Sequence, residues 1–355
     1  MGASNPGPIV TRADLRNPDL TAADVMRTDF RSCNASAPAL EVATALRVSG
    51  SPLLPVTRAQ VPIGIVTEHG LAMALAEHGG DLSSLTAGDL MGGEAPTIPI
   101  KAPIEEVIGR LAEAGGHLLA VNSEGLLKGV VTLSELGPQL SEAALGRLVA
   151  RLAEGSRVPA ALGHGAPAPA EAARAADPTA EIKSSKSQAQ PHPWDSPTKA
   201  HPEPVPLVSP ADLVNPKLTV ADAMTADPRT CSSFSTALEA VLIFRDADCG
   251  VVPVVDDGRP VGVLTDRDVA LALAEHENDL TGRPVGELMT RDVVTIAADA
   301  PLDAAIERLG DRGLRRLLVV DPDGRLVGIL SWTDLVPHLS ERGVGHAVGQ
   351  IVDHR

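Results

Sequence analysis

Two short stretches in the second half of the chain carry residue types that could do chemistry together. They are Gly262-Val-Leu-Thr265-Asp266-Arg267-Asp268 and Gly328-Ile-Leu-Ser331-Trp332-Thr333-Asp334. Both read as a glycine, two apolar residues, a hydroxyl residue, and an aspartate three positions later. A glycine on a strand lets another group approach the backbone closely. A hydroxyl beside the first amides of a helix suits a phosphate, and a carboxylate can accept two hydrogen bonds from a ribose diol. The same T-x-x-D spacing is also a capping box that needs no ligand, so both readings stand at this point. Arg267 lies inside the first stretch, and Arg315 and Arg316 precede the apolar run Leu317-Leu-Val-Val320. These arginines would favour an anion, or would pair with surface carboxylates.

The first half carries weaker versions. Thr67 is followed by Glu68, His69 and Gly70, so glycine stands where the aspartate would be. Thr132 is followed three positions later by Glu135, one methylene longer. His117 occupies the position that Arg316 holds in the second half. The first half is expected to have lost at least one site, leaving Thr67, Thr132 and Glu135 as secondary candidates.

These stretches sit in a repeat of a repeat. Leu20-Thr-Ala-Ala-Asp-Val-Met26 recurs as Leu218-Thr-Val-Ala-Asp-Ala-Met224 (224 − 26 = 198), and again inside the first half as Leu85 to Met91. Gly64-Ile-Val-Thr67 recurs at Gly129, Gly262 and Gly328. Four units of about sixty residues thus form two pairs. In the third unit Thr219 and Asp222 predict a short helix ending near Met224, followed by a strand around Arg229 to Cys231. An amphipathic helix over Thr236 to Asp246 comes next, then strands over Gly250 to Val255 and Pro260 to Thr265, and a helix over Asp268 to His276. The class is α/β, more closely α+β repeats: four β-α-β-β-α units in two paired modules. A unit this small buries too little surface alone, and two packed sheet to sheet would share a core. The methionines Met26, Met91, Met224 and Met289 read as packing. The first pair spans 8–154, with units at about 18–80 and 83–142. An Ala/Pro-rich flexible linker spans 155–205. The second pair spans 206–345, with units at about 216–278 and 283–341, and a tail spans 346–355. His164, His192 and His201 lie scattered in the linker and suggest no metal site, and Trp194, within Pro-His-Pro-Trp-Asp, reads either as a stray aromatic of a solvated linker or as a short docking motif.

Composition excludes several classes. The net charge is −16, with no Tyr, two Trp and three Phe, which offers neither a basic footprint nor stacking platforms for nucleic acid. No apolar run is long enough for a membrane span, and no basic-then-apolar leader opens the chain. Cys33, Cys231 and Cys249 form no CxxC pair, which fits a reducing, cytoplasmic setting. There is no P-loop, HExxH or GxSxG, and Gly343 to Gly349 resembles GxGxxG only with an extra residue, so no enzyme is expected.

The whole pattern, L-T-x-x-D-x-M, then β-α-β-β-α, then G-h-h-T-x-x-D, resembles the CBS (cystathionine-β-synthase-type) domain family over nearly all of residues 15–142 and 213–341. The resemblance implies a stand-alone ligand sensor for AMP, ADP, ATP, NAD or S-adenosylmethionine, bound mainly in the second pair, with no required cofactor. It assigns ribose to Asp268 and Asp334 and phosphate to Thr265 and Ser331, with Gly262, Gly328, Arg267, Arg315 and Arg316 around them. It also implies association into a homodimer, or into an internal disc of the two pairs. The alternative is a ligand-independent scaffold recruiting a separate enzyme or transporter.

Overall fold

The computed structural model describes residues 9–156, 210–276 and 280–353. The linker stretch, with Trp194 and its three histidines, lies outside the described residues apart from its first two positions.

Unit one comprises α1 (Ala22–Val25), β1 (Cys33–Asn34), α2 (Ala39–Ser49), β2 (Leu53–Arg58), β3 (Val61–Thr67) and α3 (Glu68–Glu77). Unit two comprises α4 (Ala87–Leu90), β4 (Thr97–Pro99), α5 (Ile104–Glu113), β5 (His117–Val121), β6 (Leu127–Thr132) and α6 (Leu133–Leu136), followed by α7 (Glu142–Ser156). Unit three comprises α8 (Val220–Ala223), β7 (Thr225–Ala226), α9 (Ala237–Ala247), β8 (Val251–Asp256), β9 (Arg259–Thr265) and α10 (Asp266–Glu275). Unit four comprises α11 (Val285–Leu288), β10 (Thr295–Ala297), α12 (Leu302–Asp311), β11 (Arg316–Val320), β12 (Leu326–Ser331) and α13 (Trp332–Leu335), followed by α14 (Glu341–Asp353). Helix α14 therefore carries regular structure through much of the stretch read as a tail.

Three units build a parallel strand onto an antiparallel hairpin: β1-β2-β3, β4-β5-β6 and β10-β11-β12, the last extended by β7. Unit three keeps only the hairpin β8-β9. The expected strand at Arg229 to Cys231 shrinks to one parallel bridge from Cys231 to Val254. The chain leaves the sheet there because Ser233 turns onto Asp256, its amide donating to Oδ1 at 3.1 Å and its hydroxyl to Oδ2 at 2.7 Å.

Within each pair the units exchange their leading helices. Helix α1 buries Ala22 and Val25 in the core of unit two, and α4 buries Ala87 and Leu90 in that of unit one. Backbone bonds fix the exchange: Ala22 N–H donates to Ala102 at 2.9 Å and Ala87 N–H to Ala37 at 2.8 Å. At the seam of the exchange each motif glycine meets a methionine from the other unit. Met91 lies against Gly64, Met26 against Gly129, Met289 against Gly262 and Met224 against Gly328, each too close to admit a Cβ.

The expected shared core between sheets is small, built around Leu53, Ile65, Leu119 and Val130. The large shared core joins unit one to unit three through helices instead. Val42 and Leu46 of α2, Leu71 and Leu75 of α3, Val241 and Phe244 of α9, and Val269 and Leu273 of α10 form one buried cluster. Ala72 and Ala76 of α3 and Ala270 and Ala272 of α10 are buried in the same cluster. Units two and four meet through α7 and α14, which cross where Gly146 abuts the Glu341 backbone and Gly345 abuts that of Glu142. The two pairs thus associate within one chain.

Candidate functional site

The α7–α14 crossing forms one wall of a cavity of about 780 Å³, within the usual range for small-molecule sites. Unit two lines it with Gly116, His117, Thr132, Leu133, Ser134 and Val149, and unit four with Arg315, Arg316, Ser331, Trp332, Thr333 and Val348. These sets correspond position by position (332 − 133 = 199), so the cavity lies where the duplicated halves face each other. The remaining lining is Arg27, the turn Gly50 to Leu53, and Glu135, all from the first pair.

The lining is asymmetric in charge. Arg315 and Arg316 are exposed and form no ion pair with a described residue, while their counterparts are Gly116 and His117. Burial lowers the His117 pKa, which disfavours its charged form. Arg27 is fixed by its backbone, which bridges to Val130 in both directions at 2.9 and 3.0 Å. Its guanidinium Nη2 reaches Ser51 Oγ at 3.4 Å, and its Nε lies 3.5 Å from Glu135 Oε1. That Nε is buried without a hydrogen-bond acceptor. Among the described lining residues three arginines therefore face one carboxylate.

The hydroxyl residues are set by capping. Glu135 Oε2 accepts from the Thr132 amide at 2.8 Å and hydroxyl at 2.5 Å, so only Oε1 turns towards Arg27. Asp334 Oδ2 accepts from the Ser331 amide at 2.7 Å and hydroxyl at 2.6 Å. Trp332 is anchored by its indole N–H, which donates to the Leu314 carbonyl at 2.9 Å, with its ring at the cavity. A neighbouring cavity of about 320 Å³ shares Arg27, Ser51 and Leu53 and continues past Phe30, Val48 and Pro55. A third, of about 230 Å³, holds Thr67 and Gly70 and reaches His117 from the other side.

Of the residues singled out in the sequence, Ser331, Arg315, Arg316, Thr132 and Glu135 come together in the large cavity, and Thr67 lines the smallest. Thr265, Arg267, Asp268, Asp334, Gly262 and Gly328 line none of the three. Asp268 Oδ2 accepts from the Thr265 amide at 2.8 Å and hydroxyl at 2.7 Å, and burial raises its carboxyl pKa. Arg267 pairs across the halves with the buried Glu68 at 3.1 Å. Gly262 and Gly328 are occupied by methionine contacts. Arg27, Ser51 and Trp332 had no assigned role; the signal for Arg27 was that Gly92, Thr225 and Thr290 hold its position in the other units. Cys33 and Cys231 are buried with thiols pushed up to about 11. Among the described residues no cluster of His, Cys, Asp and Glu is arranged to hold a metal, and no helix is long and apolar enough to cross a membrane.

Four exchanged units around interior clefts define a tandem-repeat module. Residues 22–77, 87–136, 220–275 and 285–341 each match the CBS domain, and the chain belongs to that family. The CBS domain-containing protein YhcV of Bacillus subtilis is 34% identical over 134 residues, 38% of this chain and 94% of YhcV. Protein MJ1225 of Methanocaldococcus jannaschii has the same fold across 90% of this chain and 99% of its own, with a TM-score of 0.52 at 15% identity. CBSX2, solved in complex with AMP, is 32% identical over 34% of this chain and 93% of its own, with a TM-score of 0.30.

Proposed function

We propose that this protein is a non-enzymatic regulatory sensor that binds one adenosine-containing anion per chain in the large cavity between units two and four. The observation that carries the reading is the convergence of Arg27, Arg315 and Arg316 on one space with, among the described residues, a single opposing carboxylate. An anion there would satisfy the buried Arg27 Nε. The hydroxyls of Ser51, Thr132 and Ser331 supply further polar contacts, and Trp332 with Leu53, Leu133, Val149 and Val348 supplies apolar surface for a base. Adenosine is the ligand class that CBS membership leads one to expect. The site thus draws on both pairs, not on the second alone.

The test is calorimetric titration of the full chain with AMP, ADP, ATP, NAD and S-adenosylmethionine. One phosphate-bearing ligand should bind at one site per chain. Because hydrogen bonds to charged groups contribute about 1.5–3 kcal/mol, Arg315→Ala with Arg316→Ala should weaken binding by at least about tenfold. A second reading is favoured by the capping geometry, in which Asp268, Asp334 and Glu135 all serve helix starts. If none of the five ligands binds, the ligand-independent scaffold recruiting a separate enzyme or transporter becomes the reading to pursue.

A further inference from the structure

The contacts between the two pairs come in reciprocal sets. Where α3 meets α10, Glu68 pairs with Arg267 at 3.1 Å and Asp266 with His69 at 3.5 Å. Glu68 and Asp266 hold equivalent positions in the two halves, as do His69 and Arg267 (267 − 69 = 198). Where α7 meets α14, Glu341 pairs with Arg147 at 3.1 Å and Glu142 with His346 at 3.0 Å. Here Glu142 and Glu341 are equivalent, and so are Arg147 and His346 (346 − 147 = 199). At each contact, therefore, one of two equivalent positions carries a permanently charged arginine and the other carries a histidine.

We infer that association of the two pairs is graded by pH through His69 at the α3–α10 contact, with Arg267 there and Arg147 at the α7–α14 contact supplying a constant background. The groups facing each imidazole all bear on this. His69 faces Asp266 and Asp248, with Glu68 and Arg267 beside it. The hydrogen bond that His69 donates to Asp266 raises the His69 pKa against an opposing effect of burial. Its contribution is therefore full below the ordinary histidine range and lost as pH rises through the raised value. His346 faces Glu142, which also takes Arg342 at 3.1 Å, and the Arg147, Glu341 and Asp14 cluster lies alongside. Glu142 is held below its usual range, first by His346 and also by Arg342. His117 acts with the opposite sign, because burial lowers its pKa and its contribution is lost as pH falls. The decisive quantity is thus a difference between variants and not a raw slope.

The test is thermal unfolding of the full chain at pH 6 and pH 8, for wild type, His69→Arg and His69→Gln. The His69–Asp266 bridge is partly exposed, so the effect is modest. On going from pH 6 to pH 8 wild type should lose about 1–2 °C relative to either variant. The arginine variant should keep the pH 6 behaviour at both values, and the glutamine variant the pH 8 behaviour. Proton NMR titration should show His69 protonated at higher pH than an ordinary histidine. Equal pH responses in all three proteins, or a His69 titration at or below the ordinary histidine range, would overturn the inference.

Discussion

The four glycine–methionine contacts make a claim that one methyl group can test. In Gly262→Ala the new Cβ would sit 2.9 Å from Met289 Cγ and 3.1 Å from the Thr290 carbonyl oxygen, and closer still to the thioether sulfur. Met289 is buried and Thr290 is held by reciprocal backbone bonds to Val263 at 2.9 and 3.0 Å, so neither can yield freely. Overpacking of this kind costs about 1–3 kcal/mol, offset by about 0.4–1 kcal/mol from restricting the unfolded chain. A net loss of about 1–2 kcal/mol corresponds to roughly 2–3 °C for a protein of this size. Thermal unfolding of Gly262→Ala, Met289→Ala and the double variant completes the cycle. Because the clash and the cavity occupy the same space, the double variant should be less destabilised than the sum by about 1 kcal/mol or more. Strict additivity, or a Gly262→Ala protein as stable as wild type, would refute the packing account. A loss of ligand affinity in Gly262→Ala without loss of stability would instead return the glycine to a role in ligand approach.

The other expectations concern the cavity. Asp334→Ala removes the acceptor of both Ser331 donors and should cost about 1–2 kcal/mol in chemical denaturation; affinity in the titration above should stay within about threefold, since each tenfold is 1.4 kcal/mol. A larger fall in affinity with unchanged stability would assign Asp334 to the ligand. Arg27→Ala should weaken a phosphate-bearing ligand about tenfold and change the melting temperature little, because the Glu135 pair is half-exposed on the arginine side and long at 3.5 Å. Unchanged affinity would show that the ligand does not reach Arg27.

The units were legible because each boundary is written in local chemistry. Thr219 and Asp222 form the capping box that the T-x-x-D spacing announces, and the apolar runs at Val251 and Leu317 became strands. What lay outside local pattern was which unit faces which. Nothing in the periodicity of α3 or α10 says that Leu71 and Val269 share a core, since an Ala/Leu helix face fits many partners. That arrangement decides the site. It closes Arg267 onto Glu68 and opens Arg315 and Arg316 onto Thr132 and Arg27. Arg27 could not be singled out by motif because it interrupts the repeat, and Trp332 was visible as a letter without a neighbour to face.

The one-sided arginines of the large cavity also bear on why this architecture is a single polypeptide. Suppose the second half paired with a copy of itself in the same arrangement. The junction would then hold Arg315 and Arg316 twice, four like charges around one space. The first half paired with itself would present glycine and histidine twice, and no arginine from those positions. Only the mixed combination gives a moderate, lopsided positive field, with Arg27 and Glu135 added from one side. Joining the halves covalently guarantees that combination in every molecule. It frees each copy to specialise, one as donor of charge and the other as the turn-lined receptacle.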